Sequence, residues 1–405
     1  MNKSTVRACS ICGNTEAELL HSQEFVLPAG HPLSSGYDVV CCHKCGFVYA
    51  DTFVRQVEYD LFYAMYSKYE DKKTASGGES PSDRNRFEET AYFISSFLPD
   101  KNARILDIGC ANGGLLKSLK KIGYYNLLGI DPSPVCVENV RRCGIAARIG
   151  SLSASLNFGI FDCILMSHVL EHVNNLVDVM TAIHQSILDS PGKQHKTLIY
   201  IEVPNASQYQ NYIFAPLQDF NTEHINHFSK KCIENLMRVN GFSIVSEGEK
   251  EIESSPGMPY PTIYSLSVIN DFDSKQFRII KDDELIVNIK HYIAKSKTLL
   301  HKIDHKIKQI LSVSDRLIVW GTGQLTMKLL ADTSLAKANI VAFVDNNSIN
   351  QGRMLNGISI VSPQKIVNLQ FPILVATLFH QKAIAEQIKS LSISNLVFFL
   401  DKHAE

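Results

Sequence analysis

Four cysteines near the start of the chain form two pairs, Cys9–Cys12 and Cys42–Cys45. Each pair is a C-x-x-C followed at once by glycine, Gly13 or Gly46. A glycine there can take positive φ and close a tight turn that aims two thiolates at one point. Two such turns make a tetrahedral set of four thiolates with no open coordination position, which suits a structural zinc ion. The 29 residues between the pairs form a closable loop. Cys41 lacks the two-residue spacing and is read as a packed bystander; the alternative for the whole set is two unrelated free-thiol turns. A second constellation is Asp107-x-Gly109-Cys110-x-x-Gly113, with Asp131 24 residues after Asp107. A third is Ser167-His168 within FDCILMSHVLEHV, where His168 could equally be a capping or core histidine. A fourth is Glu223-His224, ahead of His227-Phe228-Ser229. Histidine is the side chain best suited to take a proton near neutral pH, although a surface histidine satisfied by local hydrogen bonds fits too. Tyr59, Tyr63, Tyr66 and Tyr69 recur at near-helical spacing. They read as a packing stripe, or as a helix aiming the Tyr66 or Tyr69 hydroxyl into a cleft.

The elements around these residues follow from pattern. Residues 103–109, ARILDIG, read as a buried parallel strand entering a glycine turn, and LLKSLKKIG as the helix after it. Residues 127–130 form a second strand ending at Asp131. Strand, glycine turn, helix and strand-end acid make the first half of a doubly wound sheet with a ligand at its switch point. Residues 161–166 and 197–203 supply further strands, and Ser229 is the expected N-cap of a helix over KKCIENLMRVNGF. Residues 282–311 place isoleucine and leucine at three-, four- or seven-residue intervals, a long linking helix. Residues 317–324, LIVWGTGQ, and 340–345 then repeat strand, glycine turn, strand and acid, ending at Asp345. As a dinucleotide site this second turn lacks its third glycine, with Met327 near that place, so a structural or substrate-clasping domain is expected.

Length and composition bound these readings. At 405 residues the chain holds two to three domains, and 45% apolar with 20% charged residues is ordinary globular composition. Forty basic residues against 41 acidic give a net charge of −1, so no bulk charge draws the protein to nucleic acid or anionic lipid. No run of 18 apolar residues or signal-like N-terminus is found. A cytoplasmic protein follows, in which clustered cysteines are metal ligands before they are disulfides.

The D-x-G-x-x-x-G turn with Asp131 resembles Rossmann-like S-adenosylmethionine (SAM) methyltransferases, with Ala111 where that family has its middle glycine; the methyl is accommodated if φ is negative there. The resemblance implies that Gly109, Cys110 and Gly113 let backbone approach the cofactor. It puts Asp131 on the ribose hydroxyls, Asp107 near the methionyl amine, Ser151 beside the adenine, and Ser167 and His168 where methyl donor meets acceptor. Together, the cysteine head, this central unit, E-H-x-x-x-F-S after the fifth strand, and VDNNSINQGRMLNGISIVSP near the C-terminus resemble zinc-containing C-methyltransferases of nucleotide-linked keto-deoxy sugars. GTGQ stands where that family often has G-Y-G-A. The implied architecture is α/β: a zinc-binding module over 1–70, a SAM-dependent methyltransferase domain over 71–275, and a linker helix with a Rossmann-like α/β domain over 276–405.

The implied chemistry is methyl transfer to carbon beside a ketone, in a 4-keto-6-deoxy sugar. By resemblance His224 is the base that forms the enolate and Glu223 orients it or raises its basicity. Tyr66, Tyr69, Asn226 or His168 would donate to the enolate oxygen. Glu171 and His172 are read as structural. The implied cofactors are SAM and structural Zn2+, and the partner is a nucleotide-linked sugar. No nucleic acid, membrane or obligate protein partner is expected. The alternatives are an O-methyltransferase of a sugar or other small molecule, and a non-catalytic zinc-bearing scaffold.

Overall fold

The computed structural model describes residues 2–66, 81–151, 159–188, 197–255, 257–269 and 277–400. Tyr69 lies outside them. The chain divides into two compact units: residues 1–20, 39–212 and 223–289, and residues 21–38, 213–222 and 290–405. Among the described residues no helix is long and apolar enough to cross a membrane.

The chain opens with strands β1 (Asn2–Ser4), β2 (Glu16–Glu24), β3 (Gly36–Cys42) and β4 (Val48–Asp51), then helices α1 (Gln56–Tyr66) and α2 (Pro81–Phe97). β5 (Ile105–Ile108), α3 (Gly114–Lys121), β6 (Leu127–Asp131), α4 (Pro134–Arg142) and β7 (Ala146–Ile149) follow. Next come β8 (Cys163–Ser167), α5 (Leu176–Leu188) and β9 (Leu198–Pro204). The first unit ends with β10 (Asn226–His227), α6 (Lys230–Val239) and the long strands β11 (Phe242–Ser255) and β12 (Met258–Ile269).

The central sheet runs β11-β12-β9-β8-β5-β6-β7. β9, β8, β5, β6 and β7 are parallel, and β12 is antiparallel to β9 and β11. Every residue of β5 is buried, as expected for a parallel strand covered on both faces. The helices beside it bury Ile94, Leu115, Leu116 and Leu119 in one core with Ile105, Leu165 and Tyr200. Each such leucine contributes roughly 2 kcal/mol relative to exposure. Switch-point geometry leaves the C-terminal ends of β5, β6 and β8 facing one crevice, where Gly109, Asp131 and His168 stand. Ser229 caps α6 as expected, its Oγ accepting from Cys232 N at 3.1 Å. β8 is followed by a short 3-10 turn, Leu170–His172.

A second sheet runs β1-β2-β3-β4-β10. β10 joins it from far downstream, with Asn226 opposite Tyr49, 177 residues apart, and His227 opposite Val48. The strand just after Glu223-His224 is therefore built into the sheet of the cysteine head.

Helix α7 (Asp283–Val313) is the long helix expected from the isoleucine spacing. Asp282 caps it, accepting from Glu284 N and Leu285 N at 3.1 Å each. Its Leu300, Ile303, Ile307 and Ile310 enter the core of the second unit. That unit adds β13 (Arg316–Trp320), α8 (Gln324–Asp332), β14 (Asn339–Val344), β15 (Met354–Leu355), β16 (Ile358–Val361), β17 (Ile373–Val375), α9 (Gln381–Ser390) and β18 (Val397–Phe399). The sheet order is β15-β16-β14-β13-β17-β18, parallel apart from β15.

Candidate active site

The two cysteine turns fold as copies of one another, with the same hand. Gly13 N donates to Cys9 O at 2.8 Å and Gly46 N to Cys42 O at 2.9 Å, and both glycines have positive φ (70° and 78°). Cys9 Sγ lies 3.5 Å from Cys45 Sγ, and Cys12 Sγ 3.4 Å from Cys42 Sγ. All four sulfurs fall within 4.8 Å of one another. Bonds of about 2.3 Å to a tetrahedral zinc put sulfurs about 3.8 Å apart, so these thiols could hold that ion with little movement. Hydrogen bonds from the neighbouring thiols, Cys12 first, favour the thiolate at Cys42; those at Cys9 and Cys45 favour the thiol. A dication is what lets all four ionise together. Cys41 is a buried bystander, its thiol donating to Gly46 O at 3.5 Å.

The glycine turn is shaped by close approach. A Cβ on Gly109 (φ 71°) would stand 2.6 Å from Val169 Cγ2, and one on Gly113 (φ 73°) 2.9 Å from Val140 Cγ2. Ala111 takes φ 43°, a left-handed conformation, so the negative φ that would accommodate its methyl without strain is not met. Its N–H is turned to Asp131 Oδ2 at 2.8 Å, and that bond offsets the strain. Asp131 Oδ1 accepts from Ser133 N at 2.9 Å. The carboxylate thus ties the turn to α4, leaving one lone pair on each oxygen for a ligand hydroxyl. Cys110 packs inward; its Sγ is the atom a Cβ on Gly129 would meet. Any part it takes in binding falls to its backbone. Ser151 is half-buried just past β7, where Gly150 N donates to Asp131 O at 3.1 Å.

Asp107 is 3% exposed, and burial, then Asp131, pushes its carboxyl up to about 8. A cationic ligand beside it would restore the ordinary ionised state, which fits the ammonium and sulfonium groups of SAM. The sign for stability is definite. The folded pKa exceeds the unfolded one, so the folded state binds more protons between about 4 and 8, and stability falls as pH rises through that window. Asp107→Asn is expected to flatten this dependence and raise ligand-free stability at pH 8 by roughly 1–3 kcal/mol while weakening SAM binding at least tenfold. Urea melts at pH 6 and 8 and equilibrium dialysis with SAM check it; a variant less stable at pH 8 refutes the assignment.

His168 follows β8 with φ 55°, next to the Val169 that packs on Gly109. Its Nδ1 lies 3.2 Å from Glu171 Oε1 and its Nε2 3.3 Å from Glu202 Oε1, both carboxylates being 1% exposed. Lys250 Nζ pairs with Glu202 from the other side, and Tyr200 OH donates to Glu202 Oε2 at 2.5 Å. Burial works against charge on His168, but Glu171 and Glu202 win and raise its pKa. Burial likewise opposes charge on Glu202, but His168 and Lys250 hold its pKa below the carboxylate range. Both ring nitrogens of His168 are thus turned to carboxylates inside an ion-pair chain, away from the enolate-donor role considered from the sequence.

Glu171 and His172, read from the sequence as structural, meet the candidate base. Ligand atoms of Glu171, His172 and His224 all lie within 4.8 Å of one another, and the His172 and His224 rings meet edge to face at 4.9 Å. His172 Nδ1 donates to Glu223 O at 3.1 Å, which leaves its Nε2 as the acceptor atom. Tyr63 OH donates to Glu223 Oε2 at 3.2 Å, and its ring meets His172 at 5.5 Å. Tyr66, one turn further on, stacks on Phe62 at 5.6 Å. The tyrosine that reaches this cluster is thus Tyr63, one helical turn before the residue chosen from sequence.

Asn226, another candidate donor, is 1% exposed and fully engaged. Its Nδ2 donates to Leu170 O and Val173 O at 2.7 Å each, and its Oδ1 accepts from Arg7 Nη2 at 2.8 Å. It pins the turn carrying Glu171 and His172 to the cysteine head. Ile225 N donates to Glu171 O at 2.8 Å and Ala50 N to Ile225 O at 2.9 Å, so both sides of the cluster hang on the same strand. Asn226→Ala removes the side-chain donor from two carbonyls, of which Leu170 O keeps a 3.3 Å bond from Val173 N, and an acceptor from Arg7 Nη2, which keeps Ser10 Oγ. It is expected to cost about 2–3 kcal/mol in a urea melt and to lower kcat more than it raises KM.

In the second unit the GTGQ turn closes on itself. Asp345 Oδ2 accepts from Thr322 N and Oγ1 and from Asn350 Nδ2, and Oδ1 from Asn347 N at 2.8 Å. The acid that would meet a ribose in a dinucleotide fold holds its own loop.

Residues 82–247 match the family model of a methyltransferase domain, and residues 313–396 one described as C2185-like, N-terminal. The mitochondrial ubiquinone biosynthesis O-methyltransferase of Rattus norvegicus is 27% identical over 168 residues, 36% of this chain and 46% of that enzyme. The chain thus spans about half the length of this curated relative. Similar solved structures include a magnesium protoporphyrin IX methyltransferase from Synechocystis with bound SAH, with TM-score 0.41 and 14% identity, covering 53% of this chain and 99% of that one. Another is a 1,6-didemethyltoxoflavin-N1-methyltransferase from Burkholderia thailandensis, with TM-score 0.39 and 15% identity, covering 55% of this chain and 95% of that one. The middle of the chain is a methyltransferase domain.

Proposed function

We propose that this chain uses SAM to methylate carbon beside a ketone, in a nucleotide-linked 4-keto-6-deoxy sugar, with His224 as the base. The observation that carries the reading is the shared crevice. The turn of Gly109 packs on Val169, and the strand end bearing Val169 leads within three residues to the Glu171–His172–His224 cluster. A proton acceptor thus sits beside the place where the family resemblance puts the methyl donor.

SAM supplies an electrophilic methyl group and needs only an aligned nucleophile. Gly109 and Gly113 admit it to the backbone, Asp107 balances its cationic end, and Asp131 offers its remaining lone pairs to the ribose. His224 takes the proton from the carbon beside the ketone. Glu171 and the acceptor atom of His172 lie beside the imidazolium that results and stabilise it. Tyr63, with its hydroxyl on Glu223 and its ring on His172, fixes that pair. Cys9, Cys12, Cys42 and Cys45 hold a structural zinc, and the division into 1–70, 71–275 and 276–405 describes the three parts by role.

O-methylation is the second reading, favoured by the name of the rat relative. The two differ in one measurement: incubation with the keto sugar in deuterated water without SAM. Washing of deuterium into the sugar supports the C-methyl reading. Methylation of the reduced, ketone-free sugar without any exchange supports the other.

A further inference from the structure

We infer that Glu171, His172 and His224 form a second metal site, for a borderline first-row ion such as Zn2+ or Co2+, and that filling it switches the enzyme off. Two imidazoles and one carboxylate favour these ions over Mg2+ or Ca2+, which prefer oxygen ligands. The ligand atoms lie within 4.8 Å of one another, against about 3.0–3.4 Å round a bound ion, so small rotamer changes close the gap.

Independent contacts prepare two of the three ligands, His172 and Glu171. His172 gives its Nδ1 proton to Glu223 O, which frees Nε2 and fixes the ring, as an outer contact does for a metal-bound histidine. Glu171 is 1% exposed; its Oε1 takes His168 Nδ1 and lies 3.8 Å from His172 Nε2, while among the described residues its buried Oε2 accepts no hydrogen bond. That oxygen needs a partner, and a cation is one. Behind it, His168, Glu202 and Lys250 hold the carboxylate in place. Inhibition rests on the reading of His224 as base, because a lone pair bound to metal cannot take a proton.

The chain also carries an exposed pair on α7, His301 and His305, four residues apart on one helix face, which can chelate weakly. The test therefore uses full-length protein carrying His305→Ala, with the cysteine cage pre-loaded with one equivalent of Zn2+. Co2+ is titrated at pH 7.5 without substrate and read by dialysis and visible absorption. The expected result is one further equivalent whose spectrum lacks a thiolate charge-transfer band. His172→Ala and Glu171→Gln should each weaken it at least about tenfold. Binding in the parent protein should also weaken as pH falls, because protons compete for the imidazole lone pairs, a readout that survives if either variant fails to fold. Methyl transfer should fall over the same Co2+ range and return on dilution. No further equivalent, or one bound equally by the folded variants, overturns the site. Because binding is read without substrate, an active His224→Ala enzyme would remove the base and the inhibition while leaving that measurement to judge the site.

Discussion

His224→Ala is expected to lower methyl transfer by about 10²- to 10⁴-fold, the usual worth of a positioned general base. It should also abolish deuterium exchange into the keto sugar in the absence of SAM. SAM affinity should stay within about twofold, because the Asp107–Gly113 turn and Asp131 are held by bonds to Ser133 N and Ala111 N that do not involve this histidine. The acidic limb of the kcat/KM profile should vanish with the residue, since only its neutral form accepts a proton. Glu171→Gln should leave a partly active enzyme, since a neutral amide stabilises the imidazolium formed in the reaction less than a carboxylate does. Exchange measured by mass spectrometry, beside initial rates from pH 5 to 9, decides the matter. A variant that still exchanges and methylates removes His224 from the mechanism.

What could be read from the chain alone was local. The C-x-x-C-G pairs, the D-x-G-x-x-x-G turn and the Ser229 cap are each determined within a few residues, and their geometry followed. The long helix was legible for the same reason: its isoleucine spacing is a local period that the second core satisfies. The cluster at His224 was not legible, because Glu171 and His172 reach it across about fifty residues. The contacts that bring them there, Asn226 to Leu170 O and Ile225 N to Glu171 O, depend on β10 pairing with β4. No periodicity records such a pairing. The tyrosine stripe shows a finer limit. Tyr63 and Tyr66 lie on one helix face and both satisfy the spacing, but they are a turn apart, and only packing decides which turn meets His172. Ala111 is a third case. Its positive φ is set by the bond from its N–H to Asp131, so the side chain alone pointed the wrong way.

That dependence makes the cysteine head the place where a remote change should do most harm. Cys42→Ser is expected to lower bound zinc from about one equivalent to a small fraction, since three thiolates bind far less tightly than a complete tetrahedral set. Losing a structural metal should cost about 4 kcal/mol or more. The injury should not stop at the metal. Cys42 ends β3, its N–H bonds to Phe47 O at 2.9 Å, and the chain from there enters β4, whose Tyr49 and Val48 lie opposite Asn226 and His227. Arg7, two residues before Cys9, bonds to Ala50 O, Ile225 O and Asn226. Loosening the cage therefore loosens both the strand after His224 and the turn bearing His172. Methyl transfer should fall by well over tenfold at temperatures where the glycine turn still binds SAM. Cys41→Ser, one residue away and outside the cage, should keep its zinc and its rate, with only a modest loss of stability. Metal analysis, SAM dialysis and initial rates on both variants separate the outcomes. If Cys42→Ser loses its zinc but keeps its rate, the head does not position the catalytic loop.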